Sequence, residues 1–131
     1  MKKIRFQGFS LMEIVVVIAI VAVIMVVAVP VYNTTVKKAM SEEGKELVKS
    51  IASAEKLYKA NYGSYLAVGA TNNEPLLQVD LRNNTYFTLF SVTAPGGGLS
   101  VIVTGSGEAT GLSVVYTMPP NNTPTITING L

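Results

Sequence analysis

Residues 8–30 read GFSLMEIVVVIAIVAVIMVVAVP, and the reading of the whole chain turns on them. From Ile14 to Val29 every residue is apolar, and within residues 9–32 only Ser10 and Glu13 are polar. As a helix these residues extend about 36 Å, enough to cross a hydrocarbon layer of about 30 Å. An ordinary secretory signal has a shorter apolar region, about 7–15 residues, followed by a small-x-small cleavage site. Here the run is longer and ends in Val27-Ala28-Val29-Pro30, which offers no such site. Lys2, Lys3 and Arg5 bias the N-terminus inward, and Lys37 and Lys38 beyond the far end weaken that bias. Hydropathy alone predicts a single N-terminal membrane anchor carrying an outer domain.

That reading leaves three residues without a reason. Gly8 separates a short basic leader from Phe9. Glu13 stands at the head of the apolar run, where a carboxylate costs at least about 2.5–3.5 kcal/mol at the bilayer centre. Pro30 falls inside an otherwise continuous helix, where proline removes a backbone hydrogen bond and bends the axis. Together Gly8, Phe9, Glu13 and Pro30 resemble the type IV pilin family, pseudopilins included. In that family a short basic leader ends in glycine and the mature chain starts with phenylalanine. It carries glutamate at its fifth position and kinks at a proline about two-thirds along the apolar run. One departure is Ala22: the family often has glycine eight residues before the proline, and alanine removes that helix-weakening element.

Outside this segment the composition is that of an ordinary domain. The 131 residues suit one domain, and the 49% of hydrophobic residues are concentrated in the leading block. Cysteine and histidine are absent, so a disulfide framework and a thiolate or imidazole metal site are excluded. The net charge of +2 is too small to suggest nucleic-acid binding, and it comes from the leader.

Beyond Pro30, VKKAMSEEGKELVKSIASAEKLYKANYGSY reads as an amphipathic helix. Its apolar stripe is Val36, Met40, Leu47, Val48, Ile51, Ala54, Tyr58 and Tyr62, close to a 3.6-residue period. Gly44 is expected to weaken it by about 1 kcal/mol relative to alanine, Glu55 and Lys59 to pair four residues apart, and Gly63 to end it. The helix from residue 9 to about 62 would be near 80 Å long. YKANYGSYLA also resembles the aromatic-Gly-x-Tyr helix exit of pilins and pseudopilins. Tyr58, Tyr62 and Tyr65 read as core and interface aromatics with a polar tip. Residues 63–84 read as a connecting loop. Four β segments follow at 85–92, 99–104, 112–118 and 125–129, joined by the turns APGGG, GSGEATG and PPNNTP. Connections this short require antiparallel pairing. The expected class is α+β: the type IV pilin fold, a long helix whose outer half covers a four-stranded antiparallel sheet. The domains are then a cleaved leader at 1–8, an apolar half-helix at 9–32 and a globular domain at 33–131. In the last, the amphipathic half-helix covers about 33–62 and the sheet about 85–129.

Catalysis would need convergent acids, bases or nucleophiles. After Asp80 the only acidic residue is Glu108, Ser106 has no base beside it, and PGGGL lacks the lysine of a phosphate loop. No catalytic residue, cofactor or metal site is expected, and a membrane-tethered enzyme ranks last. Major pseudopilins of type II secretion typically bind calcium through acidic C-terminal loops, which this chain lacks. The three Asn-x-Thr matches, at Asn33, Asn83 and Asn121, read as ordinary turn chemistry.

The resemblance implies a structural subunit of a type IV pilus, serving adhesion, twitching motility or DNA uptake. It implies an inner-membrane precursor cut between Gly8 and Phe9 and N-methylated at Phe9 by a prepilin peptidase. Polymerisation into a surface filament of identical subunits would use an assembly platform with a cytoplasmic ATPase. Phe9 and Glu13 would serve subunit assembly and Pro30 the helix kink. The alternatives are a pseudopilin of a secretion or competence system and, in another class, an uncleaved membrane-anchored binding domain.

Overall fold

A computed structural model describes residues 8–121 and 123–131. Of the expected leader only Gly8 falls within it, and Lys2, Lys3 and Arg5 lie outside the described residues. One helix, α1 (Leu11–Tyr62), is followed by β1 (Val68–Thr71), β2 (Asn73–Glu74), β3 (Val79–Asp80), β4 (Phe87–Thr93), β5 (Leu99–Gly105), β6 (Ser113–Met118) and β7 (Thr125–Asn129). The chain divides into two compact units between Thr35 and Val36.

In the first unit the large apolar side chains of the described residues from Phe9 to Tyr32 are exposed. Apolar surface of this extent is stable only against lipid or other apolar chains. The helix runs on through Pro30, which has no N–H for the carbonyl of Val26. One turn later the Thr34 hydroxyl donates to the Pro30 carbonyl at 3.0 Å and the Thr35 hydroxyl to that of Val31 at 2.8 Å. Back-bonding of this kind also bends helices.

The second unit is a helix on a sheet. Five strands run in the order β1-β4-β5-β6-β7, every neighbouring pair antiparallel, and β2 with β3 forms a separate two-stranded ladder. The sheet thus has five strands where four were expected. The missed one, β1, is Val68-Gly69-Ala70-Thr71 with an irregular register against β4, too short to show a period of two. It lies in the stretch read as a loop, which also holds β2 and β3 and sends Leu77 and Leu81 into the core. The four later strands fall where the sequence puts them. Their inward residues are Phe87, Phe90, Val92, Leu99, Val101, Val103, Val114 and Tyr116. Phe87 and Phe90 both point inward although three residues apart, because a register shift between Phe87 and Leu89 inserts an extra residue there.

The stripe that α1 lays on this face is Met40, Ser41, Gly44, Val48, Ile51, Ala52 and Glu55. It differs from the expected stripe in its small and polar members. Tyr62, expected on it, is 71% exposed. Gly44 is the close-approach point: a Cβ there would lie 2.7 Å from Val114 Cγ2 and 2.8 Å from Phe87 Cζ. The helix-weakening expected of Gly44 is therefore outweighed by a packing requirement that only glycine meets. The helix ends as expected at Gly63, whose N–H donates to the Lys59 carbonyl at 2.8 Å and whose φ of 84° favours glycine.

Because Val114 and Phe87 are themselves fully buried, they cannot yield cheaply to an added methyl. Gly44→Ala should destabilise the chain by about 1–3 kcal/mol, the usual cost of overpacking, seen as a lower thermal midpoint. Helix propensity alone demands the opposite sign, about 1 kcal/mol of stabilisation, so an unchanged or raised midpoint would refute the close-packing account.

Candidate functional site

Ser10 and Glu13 are set by the start of α1. The first turn of a helix leaves its N–H groups without partners. Ser10 is the N-cap: its hydroxyl accepts from the Met12 N–H at 3.3 Å, and its carbonyl from the Ile14 N–H at 3.3 Å. Glu13 reaches back, and its Oε2 accepts from the Ser10 N–H at 2.9 Å. Ser-x-x-Glu before an apolar run is a capping box, with the carboxylate also favoured by the positive end of the helix dipole. The sequence carried this signal, and the sequence reading passed over it. Glu13 is thus satisfied within its own chain, on the outer surface of the helix, before any partner is considered.

Phe9 and Gly8 precede the cap. Phe9 is 82% exposed, and nothing lies within 4 Å of where a Gly8 side chain would be. Among the described residues nothing crowds the acyl side of the peptide bond between them, and glycine adds no side chain there. Pro30 stands far along α1 from this cluster. Gly8, Phe9 and Glu13 therefore form one local group at the helix start, and Pro30 is separate from it.

The other polar pattern read from the sequence is rearranged. Glu55 does not pair with Lys59: it is buried, and its Oε2 accepts from the Leu66 N–H at 2.9 Å. Lys59 instead lies 4.2 Å over the Tyr65 ring. The helix ion pairs join residues three apart, Glu42 with Lys45 at 2.6 Å and Glu46 with Lys49 at 3.1 Å, exposed pairs that contribute little. Among the described residues no three acidic side chains gather as a metal-holding group.

Loss of the cap is measurable. In the uncleaved chain, Ser10→Ala should speed amide exchange at Met12 about fivefold, matching a cap worth about 1 kcal/mol. Glu13→Val should do the same at Ser10, while Glu13→Gln, which keeps an acceptor oxygen, should stay near the parent. Equal exchange in all three would show that the box contributes nothing.

A family model described as the prokaryotic N-terminal methylation motif matches residues 3–29. No curated protein and no solved structure matches the chain. The matched residues include the whole of the helix-start cluster, and the motif implies processing by a prepilin peptidase. With its long apolar N-terminal helix and a second unit of helix on antiparallel sheet, the chain carries the N-terminal methylation motif typical of type IV pilin and pseudopilin precursors.

Proposed function

We propose that this chain is the building subunit of a type IV pilus: a membrane-held precursor that is cut after Gly8, methylated at Phe9 and polymerised. The observation that supports this most is the methylation motif lying on a helix whose apolar half is exposed throughout. In the membrane that half faces lipid. In a filament it packs on copies of itself, through a head-to-tail contact that extends without closing. The inner-membrane platform and its ATPase then supply the work, and the chain itself catalyses nothing. The filament would be displayed at the cell surface. Pro30, flanked by its two threonine back-bonds, is where the helix bends.

The capping box gives Glu13 a mechanism. Cleavage leaves Ser10 N–H an ordinary amide, so the box persists, but it creates an ammonium on Phe9 just before the N-cap. A positive charge there opposes the helix dipole. The Glu13 carboxylate, with Oε1 still free of the Ser10 bond, offsets it within the chain or from a staggered neighbour. In an apolar filament core either charge alone is costly, so pairing selects the stagger that satisfies both.

The N-terminal residue of the protein from envelopes or sheared filaments should be Phe9, and filaments built from chains that retain Met1 would end the proposal. Glu13→Val should insert and be cleaved normally while filament yield falls sharply. Glu13→Gln should keep the cap and still assemble poorly, because only the charge is gone. Wild-type yields from the Gln variant would reduce Glu13 to a cap. Calcium should leave the thermal midpoint unchanged, and a clear rise would favour the pseudopilin reading.

A further inference from the structure

Glu55 is the one carboxylate among the described residues buried without exposure, at 0%. It faces the domain core beside Ile51 and Ala52. One oxygen, Oε2, takes the Leu66 N–H at 2.9 Å, a bond spanning eleven residues that ties α1 to the first residues after the helix exit. The other, Oε1, is buried with no hydrogen-bond partner. A charged carboxylate in that position is strongly disfavoured unless a cation meets it.

None does. On its own helix Lys56 lies 5.9 Å over the Tyr116 ring and Lys59 4.2 Å over the Tyr65 ring. Beyond the helix exit, Asp80 and Arg82 pair with each other at 2.6 Å, and the charged group whose field reaches Glu55 is Glu74, of the same sign. Tyr58 on the same helix and Tyr65 just before Leu66 are phenols, and the strands of the five-stranded sheet bring Tyr116 but no charged side chain. Burial pushes the Glu55 carboxyl above the ordinary glutamate range; the Leu66 N–H draws it part of the way back, and Glu74 pushes it up again.

We propose that Glu55 is a proton-operated latch: neutral, it holds the helix exit at Leu66 against α1, and ionised, it releases it. The proposal concerns the second unit alone and does not depend on the filament reading. Its direction follows from the geometry. The closed form buries the carboxyl and favours the proton; the open form solvates it and returns the Leu66 N–H to water. Closure is therefore complete in acid and is lost as pH rises above the ordinary glutamate value, levelling off beyond the raised one.

Amide hydrogen exchange of the full chain in nonionic detergent, from about pH 4 to 8 and corrected for intrinsic rates, tests this. Protection of the Leu66 amide should fall by up to about tenfold per pH unit within the window and then level off, while β5 and β6 stay constant. Glu55→Gln should hold the exit closed at every pH. Glu74→Gln should bring the plateau to lower pH with a smaller total loss. A flat profile in the parent chain, or the same pH-dependent loss in Glu55→Gln, overturns the latch. If Glu55→Gln fails to fold, a parent profile at Leu66 that keeps falling without levelling off overturns it equally.

Discussion

A helix backbone can lie directly on a β-sheet only where it carries no side chain, and in this domain that place is Gly44. The sheet residues beneath it, Phe87 and Val114, are fully buried, and their atoms occupy the space that any other residue at Gly44 would claim. The close approach sets the depth at which Val48, Ile51 and Ala52 enter the core. It also brings Glu55 under the segment that follows the helix. Burying each large apolar side chain of this core contributes about 1.5–3 kcal/mol, and those contributions require the helix to sit at this height. A residue poor for a helix in isolation is therefore the one its tertiary position demands, since packing overrides propensity.

The two halves of α1 meet the same hydrophobic effect with different surroundings. The first half is apolar on every side and exposed among the described residues, so its stability requires lipid or other apolar chains. The second half confines its apolar character to one stripe, and Glu42 with Lys45 and Glu46 with Lys49 form ion pairs on its solvent side. One continuous helix thus carries two solvation requirements, and the chain divides into compact units where one gives way to the other.

Two carboxylates show how position decides the meaning of the same group. Glu13 begins an apolar run, yet it lies on the outside of the helix with the Ser10 N–H as partner, so its charge is locally satisfied. Glu55 lies in a stretch rich in lysine and reads as a surface residue, yet it is enclosed, with one oxygen unpartnered. Neighbouring letters would assign the trouble to the first and comfort to the second. Access to water reverses that assignment, because the cost of a charge depends on what surrounds it in space.

What was legible in the chain was whatever is written over a few adjacent residues. The apolar run, the Gly8–Phe9–Glu13–Pro30 pattern, the helix stop at Gly63 and the four alternating strands all depend on local period or local turn chemistry. The capping box at Ser10 and Glu13 was equally local and equally readable. Tertiary structure alone decided the rest: that Val68–Thr71 pairs with β4, that Gly44 is a contact and not a weakness, that Tyr62 faces outward, and that Glu55 binds Leu66 and not Lys59. Each of these depends on which distant residues a position meets. A four-residue edge strand has no period of its own, and a helix face is only apolar or polar until a sheet is laid against it.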